Sequence, residues 1–337
     1  MIAEADLLAC RAAIRTGSLS FHSASRLLPR RVCDPALALY AFCRLSDDAV
    51  DEGADKTEAV LHLRDRLDRI YAGQPFDAAP DRAFAAVVEE FEMPRELPDA
   101  LLEGMAWDAT GRRYDTLSGV LDYSARVAAV VGVMMCVLMR VREADALARA
   151  CDLGLAMQLS NIARDVGEDA RAGRVYLPLD WLAEEGITPD ALFALHEPTP
   201  GLRRVVRRLL AQARRLYWRS EAGIGALPLA CRPGIWAARL IYDGIGGAVA
   251  RNGFDSLTRR AHTSKLQKMA WLGEAGLRAA LTSVMPQPAI IHAAPEPEVA
   301  FLVNAAARGG VVRGRSDALL SVLAQLEARD RNRRASA

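Results

Sequence analysis

An all-α fold is what this sequence predicts, on three observations. Ala, Leu and Val dominate a chain that is 51% hydrophobic, and alternating runs of β-branched residues are scarce. Apolar residues recur at helical spacing between breaks built from Gly and Pro, such as Gly73-Gln-Pro75, Glu197-Pro-Thr-Pro-Gly201 and Leu227-Pro228. Two aspartate pairs, Asp47 with Asp51 and Asp165 with Asp169, are spaced by four, which puts each pair on one helical face.

The best-marked helix start is Asp34-Pro35, an N-cap followed by proline at the first helical position, and that helix stops at Gly53. Its Tyr40, Arg44, Asp47 and Asp51 fall within a sector of roughly 60°, while Ala38, Phe42, Leu45 and Ala49 turn toward packing. Further helices are predicted over 57–72, 81–92, 97–113, 119–140, 144–171, 178–185, 188–195, 201–222, 232–252 and 256–285. Val127 to Met139 carries no charge, but 13 residues fall short of the ~20 a bilayer span needs. A buried central helix, and no transmembrane segment, is expected there. Within 144–171, Gly154, Gln158, Asn161, Asp165 and Asp169 share a stripe beside Leu155, Leu159, Ile162 and Val166. Pro286 to Pro297 reads as loop and the basic end, Ala328 to Ala337, as a frayed tail. The expected organisation is one all-α domain over 1–285, followed by loop and tail over 286–337.

Bulk properties exclude several functions. Among 337 residues, 43 Lys and Arg balance 42 Asp and Glu, so nothing draws the chain to nucleic acid. Six cysteines show no metal-ligand spacing and read as reduced thiols, and the acidic start, Met1 to Asp6, lacks a hydrophobic signal region. A cytoplasmic location is expected. No Gly-rich dinucleotide fingerprint is present, so NAD(P)H is not expected as a cofactor. The run Arg203, Arg204, Arg207, Arg208, Arg214 and Arg215 reads first as a solvated face. Its sharper reading is a peripheral contact with anionic lipid. The sequence carries no reading of oligomeric state.

Carboxylates clustered without His or Cys suit Mg²⁺ or Mn²⁺ held partly through a substrate's phosphates. One pair alone would more often be a solvated face. Here each pair lies beside an arginine (Arg44, Arg164) on an otherwise apolar helix. Burying four carboxylates without cations costs too much. The pattern points to a diphosphate site.

The string Asp47-Asp48-Ala-Val-Asp51 fits the DDxxD signature of prenyl-diphosphate enzymes. It is joined by Gly17-Ser-Leu-Ser-Phe21, Tyr40-Ala-Phe-Cys-Arg44, Arg113-Tyr-Asp115, Gln158-Leu-Ser-Asn-Ile-Ala-Arg-Asp-Val-Gly-Glu-Asp169, Gly173-Arg-Val-Tyr-Leu-Pro178 and Arg259-Arg-Ala-His-Thr-Ser-Lys265. Through these blocks the chain, from about Gly17 to Ala270, resembles the squalene/phytoene synthase family, its bacterial phytoene-forming members most closely. The resemblance implies an isoprenoid synthase fold, with helices around a central prenyl-binding cavity. It implies that Asp47, Asp51, Asp165 and Asp169 bind two or three Mg²⁺ or Mn²⁺ ions with the diphosphate, with Asn161 and Gln158 in support. Arg44, Arg171 and Arg259 match positions that contact diphosphates, and Lys265 does so less closely. Ser18, Phe21, Tyr40 and Tyr242 match positions lining the substrate site, and Tyr123 an aromatic at the channel mouth. Ala125, Arg126 and Ala129 depart from the family's pattern and point to a reshaped channel wall.

The activity implied is head-to-head condensation of two geranylgeranyl diphosphates, through prephytoene diphosphate, to phytoene without a reductant. A squalene-type enzyme acting on farnesyl diphosphate would share these motifs. So would a non-catalytic assembly factor, except that such factors lack the metal ligands, and all four aspartates are present here.

Overall fold

The computed structural model describes residues 2–17, 25–52, 56–285 and 287–307. Among them every regular element is helical: α1 (Glu4–Gly17), α2 (Arg30–Glu52), α3 (Lys56–Tyr71), α4 (Ala79–Phe91), α5 (Glu96–Ala109), α6 (Leu117–Ser124), α7 (Val130–Leu138), α8 (Ala144–Arg171), α9 (Leu179–Glu184), α10 (Pro189–Ala194), α11 (Pro200–Ile224), α12 (Arg232–Arg251), α13 (Lys265–Leu281) and α14 (Ala300–Ala306). A single π-turn, Ala125–Ala129, joins α6 to α7, with the Val130 N–H donating to the Ala125 carbonyl.

The long helix α8 is the axis of the fold. It packs along α11 and also meets the π-turn, α7 and α12. Its apolar stripe drives this: Leu155, Leu159, Ile162 and Val166 are all buried. Within the α8–α11 seam, the buried hydroxyls of Ser160 and Tyr217 share a 3.0 Å hydrogen bond. On the other side, α2 packs against α1 and α4, and Phe42 stacks on Phe84 with ring centroids 4.4 Å apart.

Besides α5 ending at Ala109 rather than 113, three departures from the sequence reading stand out. First, α2 begins at Arg30, so Pro35 lies inside the helix and Asp34 is not its cap. Asp34 instead accepts from Arg11 of α1 at 2.9 Å, and packing against α1 offsets the backbone bond that proline removes. Second, residues 256–264 are not helical. The Asp255 carboxylate takes the N–H groups of Leu257 and Thr258 at 3.1 and 3.0 Å, and α13 starts later, at a capping box between Ser264 and Gln267.

Third, residues 287–307 are not loose loop: short 3₁₀ turns and α14 bury Ile291, Val299, Leu302 and Val303. Fully buried Arg149 clamps this segment, donating to the carbonyls of Ile290 and Ile291 at 3.0 Å and of Ala293 at 2.8 Å. Asp152 balances Arg149 at 2.6 Å and Arg219 at 3.0 Å, and Arg219 and Arg215 both reach Glu296. A buried ionic network therefore welds the segment after α13 to α8 and α11. The described fold extends past 285 to residue 307.

The helical run Leu117–Leu138 is long and apolar enough to cross a bilayer by length and composition, because it continues well before the uncharged stretch. In this fold 67% of that window is buried. The arginine run on α11 is largely taken up: Arg204 pairs with Glu185, Arg208 with Glu184, Arg215 with Glu296, and Arg203 donates to the Gly253 carbonyl.

Candidate active site

A cavity of about 460 Å³ runs along α8, lined there by Ala146, Arg149, Ala150, Leu153, Gly154, Met157, Gln158 and Asn161. At 1.5 Å per residue that stripe is about 22 Å long. The π-turn and α7 face it with Val127, Ala128, Val131, Gly132, Met135 and Met139. Tyr40 and Cys43 come from α2, Gly223 and Ile224 from α11, and Ile235, Ala238 and Tyr242 from α12. The walls are alanine, glycine and aliphatic side chains for most of their length, and the amides of Gln158 and Asn161 stand at one end.

Each of two helices leaves the cavity wall for its aspartate pair: α8 from Asn161 to Asp165 and Asp169, and α2 from Cys43 to Asp47 and Asp51. The side chains of Asp47 and Asp51, and the whole of Ser18 and Phe21, lie outside the described residues. Asp165 accepts from Arg164 through both oxygens at 2.7 and 2.5 Å, and from Arg260 at 2.9 Å. Burial alone would raise its pKa; the hydrogen bonds and charge of Arg164 and Arg260 outweigh it and hold the carboxyl below its usual range. At Asp169, burial and then the charge of Asp165 push the carboxyl up to about 7, and Arg174 offsets only part of this.

A half-buried carboxylate short of positive charge, next to a second carboxylate and an asparagine amide, is a donor set that fits a hard divalent cation. Among the described residues no group of three carboxylate, histidine or cysteine side chains is gathered for a metal. On α8 the fit rests on Asn161, Asp165 and Asp169.

Arg260 reaches Asp165 because the loop before it is pinned. The Gly167 N–H donates to the Ser256 carbonyl at 2.9 Å, and a Cβ at Gly167 would lie 2.0 Å from the Leu257 carbonyl oxygen. Only glycine permits that approach. Arg171 donates to the same Leu257 carbonyl at 3.4 Å. Arg259 is exposed on this loop, Lys265 is exposed at the start of α13, and Arg44 is exposed on α2. Tyr40 and Tyr242 line the cavity.

Tyr123 is not in the cavity wall. Its ring stacks between Tyr114 and Tyr176 at 5.3 and 5.2 Å, and its hydroxyl donates to Asp108 at 2.8 Å. The Tyr176 hydroxyl donates to the other Asp108 oxygen at 2.7 Å. Asp108 carries charge toward Asp169, so this stack adjoins the carboxylate end of the site. Arg126 of the π-turn pairs with Glu103 and lies over Trp107, with Ala125 and Ala129 buried beside it.

Sequence reasoning missed Asp108, Tyr176, Arg260 and Arg149. Tyr176 lies within a motif block and Arg260 beside a matched arginine, which was the available signal. Asp108 and Arg149 carried none.

Known proteins show which family shares this sequence and fold. A family model described as squalene/phytoene synthase matches residues 14–267. The chain is 67% identical over 341 residues to a phytoene synthase of Cereibacter sphaeroides, covering 98% of this chain and 96% of that one. It is 64% identical over 334 residues to a phytoene synthase of Rhodobacter capsulatus, covering 98% of each. Among solved structures, a ligand-bound dehydrosqualene synthase superposes with a TM-score of 0.76 at 29% identity, covering 83% of this chain and 98% of that one.

Proposed function

The chain belongs to the squalene/phytoene synthase family and is a prenyltransferase, and from that premise we propose that it joins two geranylgeranyl diphosphates head to head to form phytoene. The observation that carries this reading is the cavity along α8: a long apolar slot whose polar end runs directly into Asn161, Asp165 and Asp169. A long hydrocarbon with a diphosphate head is the ligand that such a shape accepts.

In this reading Asn161, Asp165 and Asp169 of α8, with Asp47 and Asp51 of α2, hold Mg²⁺ or Mn²⁺. Those ions, when bound, neutralise the departing diphosphate. Arg260 and Arg164, already at Asp165, offer guanidinium donors to diphosphate oxygens. Gln158 and Tyr242 meet the reacting end of the chain, and the walls below exclude water from the allylic cation. The double bond of the second substrate attacks that cation, a proton leaves, and prephytoene diphosphate forms. A second ionisation, rearrangement and proton loss complete the hydrocarbon, and no reductant is consumed. The product is insoluble in water, so a cytoplasmic enzyme with a peripheral membrane contact is part of the reading.

The test is incubation of purified protein with labelled geranylgeranyl diphosphate and Mg²⁺ or Mn²⁺, followed by organic extraction. Phytoene is the expected product. A hydrocarbon formed only from farnesyl diphosphate would overturn the substrate assignment, and no hydrocarbon from either would overturn the reading.

A further inference from the structure

Near the end of the cavity remote from Asn161, an arginine forms part of the wall. Along α8 the lining runs from Asn161, next to the carboxylates, down to Arg149 and Ala146, where Met139 closes in from the end of α7. Arg149 is an unusual wall residue for an apolar slot, being charged and fully buried. It serves because its two ends face different ways. The guanidinium is used up outside the slot, by Asp152 at 2.6 Å and by the carbonyls of Ile290, Ile291 and Ala293. The methylene stem is what remains for the cavity. Behind the stem, α11 presents Gly223, where a Cβ would lie 2.4 Å from the Arg149 Cβ and 3.1 Å from its Cγ.

Resting on the proposed prenyl-diphosphate reading, we infer that the Arg149–Gly223 contact, locked from outside by the segment Ile290–Ala293, sets the length of prenyl chain this enzyme accepts. From Asn161 to Arg149 the lining rises about 18 Å along α8, comparable with the sixteen main-chain carbons of a geranylgeranyl group laid out straight. Gly223 lets α11 and α8 close so that the arginine stem lies flat against the wall. Any side chain there meets the Arg149 Cβ, which moves only with its backbone, so α8 and α11 must shift and carry the stem with them. Because the guanidinium is held by the clasp, the stem cannot swing outward, so the slot narrows at that level. The segment after α13 therefore acts on substrate choice without touching substrate.

The experiment is a competition between fifteen-, twenty- and twenty-five-carbon allylic diphosphates, with the hydrocarbons separated by mass, for wild type, Gly223→Ala and Met139→Ala. Gly223→Ala should lower use of the twenty-carbon substrate relative to the fifteen-carbon one by at least tenfold. Met139→Ala, which opens the space beyond Arg149, should raise use of the twenty-five-carbon substrate. If folded Gly223→Ala, judged by circular dichroism and melting, keeps the wild-type ratio, the inference is overturned. Should Gly223→Ala fail to fold, an unchanged length profile in Met139→Ala overturns it instead. Wild-type protein making no forty-carbon hydrocarbon would sink the functional reading itself, a separate outcome.

Discussion

Asp165 and Asp169 stand one turn apart on α8 and are pushed in opposite directions. Asp165 is held below the usual carboxylate range, its burial outweighed by Arg164 and Arg260, while burial and the Asp165 charge raise Asp169 to about 7. One member of the pair is paired with two guanidiniums, while its neighbour has only the partial offset of Arg174.

The pH dependence of stability follows from those signs. Asp165, with a lowered folded pKa, contributes stability that is present above its unfolded value and lost as pH falls through the folded one. Asp169 does the reverse: raised from 3.8 to about 7, it weakens the metal-free fold progressively as pH rises through that window. Metal-free Asp169→Asn should therefore melt higher than wild type at pH 8, by on the order of 2 kcal/mol, and show no such gain at pH 4. Mg²⁺ should raise the wild-type melting temperature more at pH 8 than at pH 5.5, since protons compete for the same carboxylate. Equal Mg²⁺ shifts at both pH values would show that Asp169 does not titrate as described.

Asp165→Asn removes one charge and leaves the helix unchanged in shape. Turnover should fall about a thousandfold, some 4 kcal/mol of transition-state stabilisation, with near-native far-UV circular dichroism. Retained steady-state activity would take Asp165 out of the mechanism.

Gly167→Ala should cost far more than its size suggests. The added methyl would meet the Leu257 carbonyl at 2.0 Å, driving away the loop that brings Arg260 to Asp165. A destabilisation of about 1–3 kcal/mol is expected, with turnover down at least tenfold. Gly273→Ala on α13 is the control: a Cβ there meets nothing within 4 Å, and helix propensity should make it neutral or stabilising by about 0.5–1 kcal/mol. Denaturant titration of both variants decides.

Asp108 holds two tyrosine hydroxyls at once. Asp108→Ala would strand both, and burial of the Tyr123 hydroxyl makes that expensive, about 1–3 kcal/mol per unsatisfied group. Asp108→Asn keeps an acceptor and should lose roughly half as much. If the alanine variant unfolds at the wild-type urea concentration, the bridge contributes nothing.

What could be read in advance divides by range. The bounds of α8 were legible because 28 residues of unbroken periodicity average over local noise. Its aspartates were legible because four-residue spacing is a local fact. The start of α13 was misplaced although Ser264 and Gln267 carry a capping-box signature, since Leu257 and the apolar residues before it also suit a helix. The segment 287–307 looked like loop from its prolines; what orders it is Arg149, some 140 residues earlier in the chain. Asp108 could not be read for the same reason. Its partners, Tyr123 and Tyr176, come from two other parts of the chain, and single-chain periodicity says nothing about such meetings.

The π-turn between α6 and α7 adds one residue to an otherwise α-helical rod, and so rotates everything beyond it by about 100° relative to what came before. Tyr123, just ahead of that slip, faces Asp108 and its fellow tyrosines; Val131, Gly132 and Met135, just behind it, face the hydrocarbon slot. One rod thus serves two compartments that a uniform helix would have put out of phase. Removing a single residue between Ala125 and Ala129 would bring the halves back into step and turn polar and greasy faces away from their present partners, although Tyr123, Val131, Gly132 and Met135 would all remain in the chain.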